Sequence, residues 1–204
     1  MIVTISRQAG SQGREIGRAL ADNLSVDFYD KNLIALASKK SGISIEQFER
    51  YDENASNSLL YTLSIGASAA VNTDYGNMPD VPVSDKIYLV QYDIIRQAAE
   101  QPCVIVGRCA DHILSDRKDC AKIFIYADIA LRTAHIAKHL GISEDKAKSI
   151  VRKTDKSRAN YYNYFADGKW GDPSHYDLCL NSGTLSVQGC AALIKAYLQQ
   201  RGIL

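Results

Sequence analysis

Five short apolar runs, alternating with stretches of helical periodicity, constrain this chain more than any other feature. The runs are Ile2 to Ile5, Val26 to Tyr29, Cys103 to Val106, Ala121 to Ala127 and Asp177 to Asn181. Cys103-Val-Ile-Val is continuously apolar, as a strand covered on both faces must be. Helical patterns follow from about Gly13 (Ile16, Leu20 and Leu24 on one face), from Ser84 to Glu100 (Ile87, Val90, Ile94 and Ile95, stopped by Pro102), over Ile129 to Leu140, from Ser143 through about Arg158, and from Ser186 to Gln200. Such alternation predicts an α/β fold, a five-stranded parallel sheet with helices on both faces. Ligands of such sheets bind beyond the carboxyl ends of the strands. Here those ends are polar throughout: Ser6 and Arg7, Asp30, Arg108, Asp128, Asn181 and Ser182.

Between the second and third strands the pattern breaks. Residues 31 to about 85 read as a helical insertion, with Ser44 and Gln47 placed for a capping box and a turn-rich loop near 72 to 84 positioned to close over a substrate. A single domain with an insertion suits 204 residues of which 46% are hydrophobic. The formal net charge of +1 argues against wholesale binding to nucleic acid or membrane, so any charge-driven function must be local. Five scattered cysteines without a C-x-x-C pair fit free thiols in a reducing cytoplasm, and the Leu59 to Val71 stretch is too short and polar to span a bilayer. The expectation is a cytoplasmic protein.

The first strand runs into Gln8-Ala-Gly-Ser-Gln-Gly-Arg-Glu and then a helix. Gly10 and Gly13 let backbone N–H groups approach a ligand, and the helix opening at Gly13 adds unsatisfied donors and a positive dipole end. Phosphate is the leading candidate, and an ordinary tight turn joining the first strand to the first helix is the alternative. Against G-x-x-x-x-G-K-[ST], Gln8 holds the first glycine place, Arg14 the lysine place and Glu15 the hydroxyl place. Arg14 can grip phosphate oxygens in bidentate fashion. Glu15 is open to two roles, a direct or water-mediated contact to a metal or a pair with Arg18.

Other constellations bear on chemistry. Arg108, directly after a buried strand, points either to the ligand edge or to Asp111. The basic helix places Lys148, Arg152 and Asp155 near one face with Arg158 further round, and Tyr161-Tyr-Asn-Tyr-Phe and Lys169-Trp-Gly-Asp follow it. His135 and His139 stand four apart but lack a third ligand and the glutamate of H-E-x-x-H. Cys109 with His112 lacks an orienting third group. Stacking of single-stranded RNA on the tyrosines is a further reading, disfavoured by the neutral overall charge.

Taken in order, Ile5-Ser-Arg-Gln-Ala-Gly-Ser-Gln-Gly-Arg-Glu-Ile, Phe28-Tyr-Asp-Lys, Val106-Gly-Arg-Cys-Ala-Asp, Asp155-Lys-Ser-Arg-Ala-Asn-Tyr-Tyr and Lys169-Trp-Gly-Asp resemble the cytidylate kinase-like family of P-loop proteins over nearly the whole chain. The resemblance implies a nucleoside monophosphate kinase fold, with the insertion binding substrate and a lid at about 141–172. It implies ATP phosphates on Gly10, Ser11, Gln12, Gly13 and Arg14, and a nucleoside monophosphate, CMP or dCMP, met by Asp30, Arg108, Asp111 and Asp155. Arg14, Arg152 and Arg158 would be catalytic, with Mg²⁺ accompanying ATP and no organic cofactor. Arg14 stands where better-characterised cytidylate kinases carry lysine, and Leu36 where they carry an arginine. A nucleotide-binding or sensing protein on the same scaffold is the alternative.

Overall fold

The computed structural model describes residues 1–30 and 82–204, with Leu33, Ala35 and Ser38 between them. The body of the insertion, including the capping box at Ser44, the loop from 72 and Leu36, lies outside the described residues. Among the described residues the order is β1 (Ile2–Arg7), α1 (Gly13–Leu24), β2 (Asp27–Tyr29), α2 (Val83–Ala98), β3 (Cys103–Val106), α3 (Ala110–Ile113), β4 (Cys120–Tyr126), α4 (Ile129–Leu140), α5 (Glu144–Phe165), β5 (Leu178–Asn181) and α6 (Val187–Gln200).

The strands form one sheet in the order β2-β3-β1-β4-β5, every pair parallel. Register follows from alternation along β1. Ile2 faces a core built with Ile87, Val90, Ile95 and Ile105, beneath α2 and α3. Val3 and Ile5 face the opposite core, where Val104, Val106, Ile123 and Ile125 meet Ile16 and Leu20 of α1 and Ile194 and Leu198 of α6. Full burial of each such side chain stabilises by roughly 1.5–3 kcal/mol. Gly17 lets α1 lie close to the sheet, because a Cβ there would stand 2.9 Å from Val106 Cγ2 and 3.2 Å from Phe28 Cε2.

The expected strand and helix order holds among the described residues, with the short helix α3 added between β3 and β4 and one extension. α5 does not stop near Arg158 but continues through Phe165. Tyr161 and Tyr162 on its last turns are each only 5% exposed, packed with Cys109 and Ala166, and Phe165 stacks on Tyr88 at 4.1 Å between ring centroids. Most of these aromatics therefore cover the sheet's α2 side rather than decorating a hairpin, and within the run Tyr164 alone, at 61%, is an exposed large hydrophobic. Among the described residues, no helix is long and apolar enough to cross a membrane.

Candidate functional site

Past the end of β1 the chain makes a turn held from all sides. Gln8 N–H donates to the Ile125 carbonyl at 3.0 Å, and Gln8 Oε1 accepts from Ala127 N at 3.2 Å, which is what the residue in the first glycine place does here. Ser11 Oγ donates to the Gln8 carbonyl at 2.8 Å, and Ser182 Oγ donates to the Ser11 carbonyl at 2.7 Å. Ala9 N–H donates to Asp155 Oδ1 at 2.7 Å, and the Ala9 carbonyl accepts from Arg132 at 3.1 Å. Gly10, at φ +77°, turns the open side of its Cα to the Arg132 carbonyl, where any Cβ would collide with backbone.

The turn delivers the chain to α1 with that helix's amino end uncapped. Gln12, at φ 58°, gives no side-chain cap, so the first-turn N–H groups, which have no carbonyl ahead of them, are left for an anion. A second left-handed turn faces it after β3. Gly107, Arg108 and Cys109 have φ of 83°, 59° and 53° in succession. Left-handed backbone costs L-residues about 1–2 kcal/mol each, a strain that clusters at binding sites. Gln12 and Arg108 both line the same cleft.

That cleft has a volume of about 1130 Å³ and opens at the carboxyl edge of the sheet. Arg7 from β1, Arg14 from α1, Arg108 after β3, Lys138 from α4 and Arg158 from α5 bring cations to it from five places, against the carboxylates of Glu15 and Asp30. Arg158 donates to the Arg7 carbonyl at 3.1 Å, which ties α5 to the end of β1. Arg14 Nε donates to Asp30 Oδ2 at 2.5 Å. The Asp30 side chain is 6% exposed and the Arg14 side chain 59%. Glu15 lines the cleft, while Arg18 lies over the Phe28 ring at 4.0 Å.

Of the residues singled out from sequence, Gly10, Gln12, Gly13, Arg14, Asp30, Arg108 and Arg158 meet on this cleft. Ser11 is fully buried with its hydroxyl turned back into the loop. Arg152 is exposed on α5 and is not among the lining residues. Asp155 gives one oxygen to Ala9 N–H and the other to Arg132, at 2.6 Å. Asp111 lies behind Arg108, 3% exposed, accepting from Tyr162 Oη at 2.8 Å and Ser6 Oγ at 3.5 Å. Burial raises the Asp111 pKa above the ordinary carboxylate value, and the Tyr162 hydrogen bond pulls it part of the way back. The Tyr162 and Tyr176 hydroxyls are pushed above the ordinary tyrosine value, first by burial and then by the Asp111 charge.

Sequence reasoning passed over three cations. Arg7 was visible only as a polar strand end, although its guanidinium lies against Gly107 in the cleft wall. Arg132 and Lys138 carried no signal beyond their helix. His135, set aside as half of a metal pair, has Nδ1 3.0 Å from the Gly10 carbonyl oxygen and lines the cleft with His139. Among the described residues no three His, Cys, Asp or Glu side chains gather as a metal site.

A five-stranded parallel sheet whose first strand feeds a glycine turn and an uncapped helix, with arginines converging at the strand ends, defines a kinase fold of the P-loop type. Shikimate kinase from Bacteroides thetaiotaomicron shares that fold, at TM-score 0.56 and 12% identity over 98% of both chains. The chain belongs to the cytidylate kinase-like family, whose model matches residues 2–184. It is 27% identical over 198 residues to the cytidylate kinase of Pyrococcus horikoshii, covering 96% of this chain and 87% of that one. It also resembles an uncharacterized protein from Eubacterium ventriosum of known structure, at TM-score 0.70 and 26% identity over 98% of both chains.

Proposed function

We propose that this protein transfers a phosphoryl group from ATP to a nucleoside monophosphate, CMP or dCMP, a reading supported by its family and by a relative named cytidylate kinase. The observation that carries the reading is the single cleft in which an uncapped helix amino end and four arginines from separate elements converge. Its volume of about 1130 Å³ exceeds the roughly 300–1,000 Å³ typical of a site for one small molecule, and so suits donor and acceptor side by side.

Phosphoryl transfer asks little covalent chemistry of a protein and much positioning and charge stabilisation. The acceptor phosphate oxygen attacks in line, so no side-chain nucleophile is needed. The first-turn N–H groups of α1 and Arg14 would hold the donor's β- and γ-phosphates, Arg108 would orient the acceptor phosphate, and Arg158 would meet the charge that spreads over the transferred group. Arg152 would join them only on closure, since it is exposed on α5. Glu15, a carboxylate on the cleft, is chemically suited to help hold Mg²⁺, which would supply further neutralisation of the phosphates when bound with the nucleotide, whereas Asp30 is engaged by Arg14.

The test is a coupled ADP-release assay with ATP and magnesium against each nucleoside monophosphate. Acceptor-dependent ADP with CMP or dCMP is the expected result. Arg14 and Glu15, standing where a phosphate loop carries lysine and a hydroxyl, favour a second reading, a nucleotide sensor without efficient turnover. Nucleotide binding with no acceptor-dependent ADP from any acceptor would select that reading.

A further inference from the structure

The phosphate turn of this chain lacks the lysine and hydroxyl that usually anchor such a loop to its ligand, yet it is fixed from outside by two other helices. The Ala9 peptide is held at both ends. Its N–H donates to Asp155 Oδ1 at 2.7 Å, Asp155 Oδ2 accepts from Arg132 at 2.6 Å, and the same Arg132 nitrogen donates to the Ala9 carbonyl at 3.1 Å. Arg132 also donates through Nε to the Ala127 carbonyl at 2.9 Å, which anchors it to the end of β4. Its side chain is 7% exposed and that of Asp155 18%. Gly10, the next residue of the turn, is packed on the Arg132 carbonyl on one side and faces His135 Nδ1 at its own carbonyl.

We infer that Arg132 and Asp155 form a clamp that sets the phosphate-binding turn in its competent shape, so that Asp155 is a positioning residue for the donor phosphates and not a contact to the acceptor. This rests on the kinase reading for its steady-state consequences, but not for its binding consequences. Three features support it. Both carboxylate oxygens of Asp155 are engaged by the clamp, and the residue is not among those lining the cleft. Arg158, one turn further along α5, donates to the Arg7 carbonyl, so the same helix holds residues 7 and 9 on either side of Gln8. An arginine buried this deeply needs a counter-charge, and removing one member of such a pair leaves the other uncompensated.

The experiment uses the full chain with Asp155→Asn and Arg132→Lys, singly and together. Asparagine keeps an oxygen for Ala9 N–H but turns an amide toward Arg132; lysine keeps the charge but cannot donate to three acceptors in one plane. Calorimetric binding of inorganic tripolyphosphate is measured beside the separate KM values for ATP and for the acceptor. Each single variant should weaken tripolyphosphate binding and raise the KM for ATP by about tenfold, the effect of one lost charge-assisted hydrogen bond. The acceptor KM should stay unchanged, and the double variant should be no worse than the poorer single one. A raised acceptor KM with unchanged tripolyphosphate affinity would overturn the proposal in favour of a direct acceptor contact. A lowered Tm with unchanged tripolyphosphate affinity would reduce the pair to fold stability. If the unmodified protein turns over no acceptor, the kinase reading fails, while the tripolyphosphate measurement still decides whether the clamp shapes the turn. Should Asp155→Asn not fold, tripolyphosphate binding by Arg132→Lys decides between the same outcomes.

Discussion

Replacing Tyr162 by phenylalanine deletes one hydroxyl and tests the polar cluster behind Arg108. Tyr162 Oη donates to Asp111 Oδ2 at 2.8 Å, with the two residues 5% and 3% exposed. The other side-chain partner, Ser6 Oγ, stands at 3.5 Å, the outer limit of a hydrogen bond. Phenylalanine fills nearly the same volume, so the loss is that of a buried hydrogen bond to a carboxylate, about 1.5–3 kcal/mol when Asp111 is ionised. For a chain of this length that lowers Tm by about 3–12 °C.

The cost must also depend on pH. Burial raises the Asp111 pKa in the folded protein above the ordinary carboxylate value, so the native state binds this proton more tightly than the unfolded chain does. Stability from this group is therefore greatest at acid pH and declines as pH rises from the ordinary carboxylate range through the folded value. The Tyr162 bond holds that folded value down, and deleting it moves the decline further. Urea unfolding of both proteins at two pH values, one acid and one alkaline, should show a cost near 1 kcal/mol in acid and distinctly more in base as Asp111 gives up its proton. Placing Asp111→Asn in both backgrounds should flatten the difference. An equal cost at the two pH values, or a cost below about 0.5 kcal/mol at the higher one, would refute the reasoning.

Three other outcomes follow from the same geometry. Arg14→Ala and Arg158→Ala should each lower turnover by about 10³-fold or more in the ADP-release assay while the chain still folds cooperatively in urea, and near-normal rates in either would remove its assignment. Gly10→Ala should cost about 1–3 kcal/mol in urea unfolding and weaken calorimetric tripolyphosphate binding, because φ +77° and the Arg132 carbonyl both oppose a Cβ; unchanged affinity would mean the turn adapts without loss. Burial pushes the Cys103 thiol up to about 12 and the Cys120 thiol up to about 11, and Cys109 and Cys190 are buried as well. A disulfide reagent at about pH 8 should therefore modify only the half-buried Cys179 in the folded protein, and rapid reaction of more than one thiol would contradict the packing.

The sheet was legible because buried parallel strands leave little choice of residue. Cys103 to Val106 has no polar side chain, and all four residues are within 2% of full burial. The ligand edge was legible for the related reason that polarity returns abruptly where a strand leaves the core, as at Arg108 and Asp30. The end of α5 was not, because Tyr161 and Tyr162 look like surface aromatics until the face they share with Ala147 and Val151 is seen to be the buried one. Arg132 was illegible in principle. Its partners are Ala9, Ala127 and Asp155, and nothing local to α4 marks a buried cation whose counter-charge lies 23 residues away. Asp155 was marked by the family resemblance as an acceptor contact, and what sequence could not reveal was that one of its oxygens accepts from Ala9 N–H and the other from Arg132.

On the proposed reading, an arginine in the lysine place would alter how such a turn works without disabling it as a phosphate site. A lysine ammonium is a compact charge with three rotating donors, whereas a guanidinium must be aimed before its planar fork can meet two oxygens. Asp30 does the aiming here. It engages Nε, one of five N–H donors, and so leaves the terminal nitrogens of Arg14 with hydrogens to offer the cleft. Because the Arg14 side chain is 59% exposed, water screens that pair and it is worth at most about 1 kcal/mol, little enough for a polyphosphate to share. Arg158 is tethered in the same manner by the Arg7 carbonyl, and Arg108 by the left-handed turn that carries it. Arg14 is thus aimed by a contact that spends one of its donors, which is the condition for electrostatic stabilisation without reorganisation when charge develops. Asp30 has a second effect. Its carboxylate, 6% exposed, offsets the mutual repulsion of the arginines, so the same residue that orients Arg14 also allows the cleft to gather so much positive charge.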